Sequence, residues 1–332
     1  MTEWTKDKEK KILWKYRFTL TLRIVRVLAA IALIYAVYMM ILSIGYHKSE
    51  IGEKNKFIVS QAFNWTQPGL LAKSESSIGA NINAFFSQEM SLPIVRTVGK
   101  EEMQVGTLEV TKRVFSPFSS MRITFDNPSD ERFSFFLPED PRTGKKVTLK
   151  VDPGVWTTLE KVHEGTVADL SFSTDRYYEP AELLKLLAPY DVDVTWMPLY
   201  TGELKEIKDV GYSVAGGTYF MVDRIGMSRA RETDNYRSYS EVYLSEGTIK
   251  ENEKIMLANM EKLLENEGNS YLEDVLGLRH LQERHDYIKK NGFKVYGAVV
   301  TGPVKELLKL RELDTIQSAK VGEFAYWNWT EE

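Results

Sequence analysis

From Val27 to Tyr46 the chain runs VLAAIALIYAVYMMILSIGY, 20 residues without a charge. At ~1.5 Å per residue a helix of that length crosses ~30 Å of hydrocarbon, so the pattern predicts one membrane-spanning helix. Uncharged runs of ~7–15 residues are usual in cleaved leader peptides, which makes this an uncleaved anchor. Lys6, Lys8, Lys10, Lys11, Lys15, Arg17, Arg23 and Arg26 precede the span, against Glu3, Asp7 and Glu9; His47, Lys48 and Glu50 follow it. Lys and Arg remain on the cytoplasmic side, which places the N-terminus inside and the bulk of the chain outside the cell membrane. Within the inner arm, Ile12, Leu13, Tyr16 and Leu20 recur near helical spacing. They read either as a helix continuous with the anchor, its basic residues resting on lipid head groups, or as an apolar stripe that also docks a partner in a groove.

Beyond the span, residues 47–93 are polar and rich in Gly, Pro and Ser, and read as a membrane-proximal linker with local structure at Phe57–Phe63 and Ala80–Phe86. IVRTV, TLEVTKRVF and SMRITF predict strands between 94 and 125, and VTLKV at 147–151 predicts another. Two later stretches resemble each other: Val167–Tyr200 and Val295–Trp329 each carry an apolar run, a proline, ELLKL and a tryptophan-bearing return strand. Each reads as strand, short Pro-started helix, strand. A duplicated βαβ unit with parallel strands in one sheet is the expectation. Between the copies fall a glycine-rich loop (Gly211, Gly216, Gly217) and two helices, about Lys250–Glu265 and Tyr271–Lys290. The fold class is therefore α+β. The expected division is an arm at 1–26, a span at 27–46, a β-rich region at 47–160 and a C-terminal domain at 161–332.

The chemistry in this pattern is sparse. The net charge of −4 gives no reason to expect direct contact with nucleic acid. With no cysteine there is no thiol nucleophile and no thiolate metal site. His280 and His285 are five residues apart, so on one helix their rings point ~140° apart and both read as solvated. Gly297–Gly302 has the glycine spacing of a phosphate loop, but Pro303 and Val304 stand where the lysine and hydroxyl are needed. Glu139 with Asp140, and Asp191 with Asp193, read as solvated pairs rather than acid–base partners. No enzyme, cofactor or metal is expected. Tyr177, Tyr178, Trp196, Trp327 and Trp329 are candidate ligand-facing aromatics, with core packing as the alternative.

At the C-terminus Tyr287–Gly292, Val295–Pro303, Ser318–Gly322, Trp327 and Trp329 resemble the C-terminal domain of the sigma factor regulator family. Glu164–Val167, Tyr190–Val192, Trp196, Gly211 and Tyr212 fit the same pattern, and Lys6–Ile12 resembles the family's N-terminal domain. The short, basic arm departs from the longer acidic segment of a known member of the family. The resemblance implies a Gram-positive, single-pass membrane protein that acts as an anti-sigma factor. It would restrain an extracytoplasmic-function sigma factor, directly or through an adaptor or membrane co-regulator, and its outer domain would respond to envelope state. The alternative is an anchored extracytoplasmic binding module for an envelope ligand or partner, with no sigma factor.

Overall fold

The computed structural model describes residues 6–74, 81–113, 118–127, 133–147, 152–215, 219–236 and 238–326. Arm and span form one unbroken helix, α1 (Lys6–Lys48). It is long and apolar enough to cross a membrane, and among the described residues none of its most apolar stretch is buried. Of its residues only Tyr46 is buried.

The segment after the span is not a linker at its start. Glu50 turns the chain through a left-handed φ of 56°, and α2 (Ile51–Thr66) follows at once. Polar Asn55, Lys56, Ser60, Gln61 and Asn64 hide this helix from a periodicity reading, yet all five are buried. Neighbours satisfy two of their acceptors: Lys112 donates to Asn55 Oδ1 at 2.9 Å, and the Ala72 N–H donates to Asn64 Oδ1 at 2.7 Å.

A first antiparallel sheet packs on α2. It contains β1 (Leu70–Ala72), β2 (Asn81–Ile82), β3 (Ser87–Val98), β4 (Glu101–Arg113) and β5 (Ser120–Phe125), in the order β1-β3-β4-β5 with β2 beside β3. The β3–β4 hairpin turns at Gly99, whose φ of 65° suits a residue without Cβ. Most of the strand expected at 147–151 lies outside the described residues. Next comes α3 (Pro153–Lys161), capped by the Asp152 carboxylate, which accepts the Gly154 N–H at 2.9 Å.

The region that holds the second sheet runs through β6 (Thr166–Tyr178), α4 (Pro180–Leu187), β7 (Asp193–Leu199), the hairpin β8 (Tyr212–Ala215) and β9 (Tyr219–Val222), then β10 (Ile225–Ser228), β11 (Ala230–Glu232) and β12 (Ser240–Val242), with β8–β9 and β11–β12 each forming a separate two-stranded sheet. The chain continues through α5 (Ile249–Asn266), α6 (Leu281–Asn291), β13 (Val295–Pro303), α7 (Val304–Lys309) and β14 (Ile316–Tyr326). The sheet order is β10-β7-β13-β6-β14, and every neighbouring pair is antiparallel. Both strand–helix–strand segments are present and their strands do run parallel. They are not neighbours, however: β13 separates β6 from β7, and β6 separates β13 from β14. This is the split, ferredoxin-like arrangement, in which each segment completes the other's hydrogen bonding.

Leu183, Leu184 and Leu187 of α4 share one core with Val304 and Leu307 of α7 and with Ala168, Leu170, Phe172, Ala298 and Val300. Phe135, Trp196, Tyr296 and Val299 belong to a second core. Successive strand residues face opposite sides, so both helices cover one face of the sheet and the aromatic cluster covers the other. The helix expected at Tyr271–Lys290 is interrupted. A π-helical turn spans Tyr271–Val275, Gly277 (φ 72°) and His280 (φ 56°) reverse the backbone, and α6 starts afresh at Leu281.

Candidate functional site

The arm presents its apolar side chains without cover. Ile12, Leu13, Tyr16 and Leu20 are all exposed, Ile12 at 57% and Tyr16 at 68%. Ile12, Tyr16 and Leu20 follow each other at four-residue intervals and, with Lys15, Thr19 and Arg23, line one shallow groove of about 350 Å³. Leu13 lies about 100° around the helix from Ile12 but only about 20° from Leu20. Trp14 and Phe18, which the stripe omitted, stack with ring centroids 5.6 Å apart and are exposed as well. Their i, i+4 spacing was the available signal.

The far end of α1 is joined firmly to the folded region. The buried Tyr46 ring packs against Gly52, where a Cβ would meet its hydroxyl at 2.8 Å. Ser49 Oγ donates to the Tyr46 carbonyl at 2.9 Å. From there α2 reaches both sheets. Trp196 Nε1 on β7 donates to the Asn64 carbonyl at 3.1 Å, and the Ala72 N–H on β1 donates to Asn64 Oδ1 at 2.7 Å. A displacement of α1 therefore bears first on α2 and then on β7 and β1.

The candidate aromatics divide. Trp196 is wholly buried, wedged against Phe135 with centroids 5.3 Å apart, and is core rather than ligand-facing. Tyr178 is buried, its hydroxyl 2.6 Å from Thr315 Oγ1. Tyr177 stacks on Tyr200 at 4.7 Å, and Tyr200 meets the Tyr287 edge at 5.7 Å. Trp327 and Trp329 lie outside the described residues. Beside the tyrosines sits a buried ion pair that the sequence did not disclose. Glu203, fully buried, pairs with Arg284 and accepts the Thr201 N–H at 2.6 Å. Arg284 also donates to the Asp223 carbonyl at 2.6 Å. His285, expected to be solvated, is buried, with Nε2 3.1 Å from Glu261 and Nδ1 3.2 Å from Asp286. Among the described residues no group of three or more potential ligands could hold a metal ion.

A second buried charge crosses between the sheets. Asp169 on β6 lies 3.8 Å from Arg96 on β3 and accepts the Glu323 N–H at 2.6 Å. Burial pushes its carboxyl up to about 6, against the pull of Arg96 and the backbone N–H. The folded state thus holds this proton more tightly than the unfolded chain, whose ordinary value is 3.8. Stability from this group is complete below about pH 4 and is lost as the pH rises through about 6. Thermal midpoints across that window are expected to fall less in Asp169→Asn than in the parent. An unchanged difference between the two proteins at every pH would refute the assignment.

Where the two sheets meet, a cleft of about 640 Å³ opens between the β3–β4 turn and β7, lined by Lys73, Lys100, Glu102, Arg229, Glu241 and Tyr243, among others. Its charges are largely committed. Lys73 reaches Glu102 at 2.7 Å, Arg229 pairs with Glu102, and Arg229 meets Glu241 at 2.8 Å. Burial raises the Glu102 carboxyl, but Lys73 and Arg229 outweigh it and hold the group below the usual range.

The uncovered arm, the continuous helix and the two-sheet region coincide with two family models. The sigma factor regulator N-terminal model matches residues 10–103, from the arm through α2 to β4, and the sigma factor regulator C-terminal model matches 159–323, from α3 into β14. The chain belongs to the sigma factor regulator family. The probable anti-sigma-M factor YhdL of Bacillus subtilis (strain 168) is 22% identical over 269 residues, which cover 80% of this chain and 67% of that protein. No solved structure matches the chain significantly.

Proposed function

We propose that the chain is a membrane-anchored, anti-sigma-factor-like regulator of an extracytoplasmic-function sigma factor, with its arm inside the cell and its two sheets outside. The observation that carries this reading is the match to both regulator models, with one helix long and apolar enough to cross a membrane, among the described residues, beginning just before the N-terminal match and running through its first part. The excess of Lys and Arg before Val27 supports the orientation. The division into arm 1–26, span 27–46, proximal region 47–160 and regulator domain 161–332 belongs to the same proposal. So does an origin of the two strand–helix–strand segments by duplication, supported by ELLKL at 182–186 and again at 306–310. In this account Ile12, Leu13, Tyr16 and Leu20 hold the sigma factor or an adaptor, and the turn at Glu50 passes the state of the outer region to α1. No catalytic step or cofactor enters it.

Glutamate at both Leu13 and Tyr16 places two charges in the apolar stripe. This variant is expected to raise transcription of the controlled genes to the level seen on deletion of the whole gene, with membrane abundance unchanged. Loss of Lys10 and Lys11 should matter far less, because exposed charge pairs contribute only about 0–1 kcal/mol. Reporter activity at the parental level in both the double-glutamate variant and the deletion strain would end the anti-sigma reading in favour of the anchored binding module. Protease added to intact protoplasts is expected to degrade residues after about His47 and spare the arm; a protected C-terminus would reverse the orientation.

A further inference from the structure

The loop between β2 and β3 does not project into open space; it folds back along the apolar helix. Tyr38 Oη donates to the Ala84 carbonyl at 2.9 Å. Tyr38 lies eight residues before Tyr46, roughly 12 Å further into the uncharged span along the helix axis. The loop tip, Ala84-Phe85-Phe86, is thus held level with residues that the anchor places in hydrocarbon. Phe85 is 85% exposed, among the most exposed large apolar side chains in the chain, and Phe86 is also exposed. Phe118, 73% exposed, belongs to the same end of the sheet, since Ser87 pairs with Arg113 and the Arg113 N–H donates to Ser119 Oγ at 3.0 Å.

Much of the tip's backbone meets the condition that hydrocarbon imposes on non-helical chain, with polar groups bonded within the protein. Asn83 Oδ1 accepts the N–H of Phe85 and of Ser87, each at 3.0 Å. The Asn83 carbonyl accepts the Phe86 N–H at 3.0 Å, and the Asn83 N–H donates to the Ser87 carbonyl at 2.9 Å. The Ala84 carbonyl is taken by Tyr38. From Ile82 to Ser87 there is no charged residue. Phe86 adopts a left-handed φ of 57°, which is unfavourable for a bulky residue and costs the chain free energy to maintain two adjacent exposed aromatics. Between the tip and the helix runs an apolar groove of about 550 Å³, lined by Tyr38, Ile41, Leu42, Tyr46, Ile82 and Phe86, among others. The groove is continuous with the uncovered surface of the span.

We infer that the Ala84–Phe86 tip is a second membrane contact, immersed in the acyl chains of the leaflet next to the folded region, with a lipid chain lying in the groove beside α1. The inference rests on the anchoring proposed above. Its consequence is that the first sheet is held to the bilayer at two points rather than swinging on one helix. The folded region would then sense the leaflet itself, its packing and thickness, as well as any soluble ligand.

The chain has no cysteine, so single substitutions give unique labelling sites. Phe85→Cys, Ile34→Cys and Lys100→Cys, each carrying the environment-sensitive fluorophore NBD, are reconstituted as full chains into phosphatidylethanolamine–phosphatidylglycerol vesicles, with or without brominated acyl chains. Ile34 reports the span, and Lys100 sits at the opposite turn of β3–β4, roughly 40 Å from the tip along strands of ~3.4 Å per residue. The expected result is blue-shifted emission with strong bromine quenching at 85 and 34, and neither at 100. Quenching at 34 without quenching at 85 overturns the tip proposal while leaving the anchor intact. A blue shift at 85 that bromine does not quench would mean a protein surface or a second copy covers the tip, and overturns it too. No quenching at 34 removes the anchor and the inference with it.

Discussion

Alanine in place of Gly226 is expected to unfold the two-sheet region at markedly lower denaturant than the parent protein. Gly226 sits on β10 opposite Pro198, and a Cβ there would fall inside the Trp196 indole and 2.6 Å from the Met197 carbonyl oxygen. Neither neighbour can give way cheaply. Trp196 has no exposed surface, and its Nε1 is bonded to Asn64 of α2. Overpacking of a tight core costs about 1–3 kcal/mol, and contact with a locked ring and a backbone oxygen puts this site at the top of that range. Gly247→Ala, where a Cβ meets nothing within 4 Å, is the matched control and should leave the midpoint unchanged. Urea titration of the full chain in detergent, followed by near-ultraviolet circular dichroism, reads both. Equal midpoints for Gly226→Ala and the parent would show that the indole does not occupy this space.

Removing Glu203 is the second severe lesion expected. Its carboxylate is fully buried and is met by Arg284, the Thr201 N–H and the Thr201 hydroxyl. Glu203→Ala leaves the Arg284 guanidinium buried without its counter-charge, a change that costs about 3–5 kcal/mol. The paired replacement Glu203→Leu with Arg284→Met removes both charges and is expected to cost less than Glu203→Ala alone. A double-mutant cycle on unfolding free energies gives the coupling directly. If the single change proves as mild as an ordinary surface substitution, the pair is solvated rather than buried.

Much of the architecture could be read from local pattern because local pattern produces it. The uncharged run before Tyr46, the β-branched stretches around Ile94 and Leu108, and the Pro-started helices at Pro180 and after Pro303 all carry their own signals. What escaped was set by partners far along the chain. α2 looked like a linker because its buried face includes Asn55 and Asn64, whose oxygens are met by Lys112 and Ala72 far along the chain or outside the helix. The strand interleaving was illegible because β6 is buried along nine consecutive residues on both faces, leaving no alternation from which a pairing could be deduced. The candidate site was legible in part. The arm's stripe follows from spacing, and its side chains are exposed; that they dock a partner belongs to the proposal above. Of the three candidate aromatics among the described residues, Tyr177 retains partial exposure; Trp196 and Tyr178 were drawn into the core by partners at Phe135 and Thr315. The ion pairs of Glu203 with Arg284 and of Asp169 with Arg96 join residues too distant in sequence for any spacing argument to connect.

The interleaving of the second sheet also sets when this protein can exist as a folded object. β6, completed by residue 178, has β13 on one side and β14 on the other, and β14 begins only at Ile316. Contacts of such long sequence separation carry a large loop-closure cost and fold late. During synthesis β6 waits with both edges open until almost the whole chain has left the ribosome. A chain cut short before Ile316 never closes the sheet, and offers the edge around Ala168–Thr174 to any other strand that can pair with it.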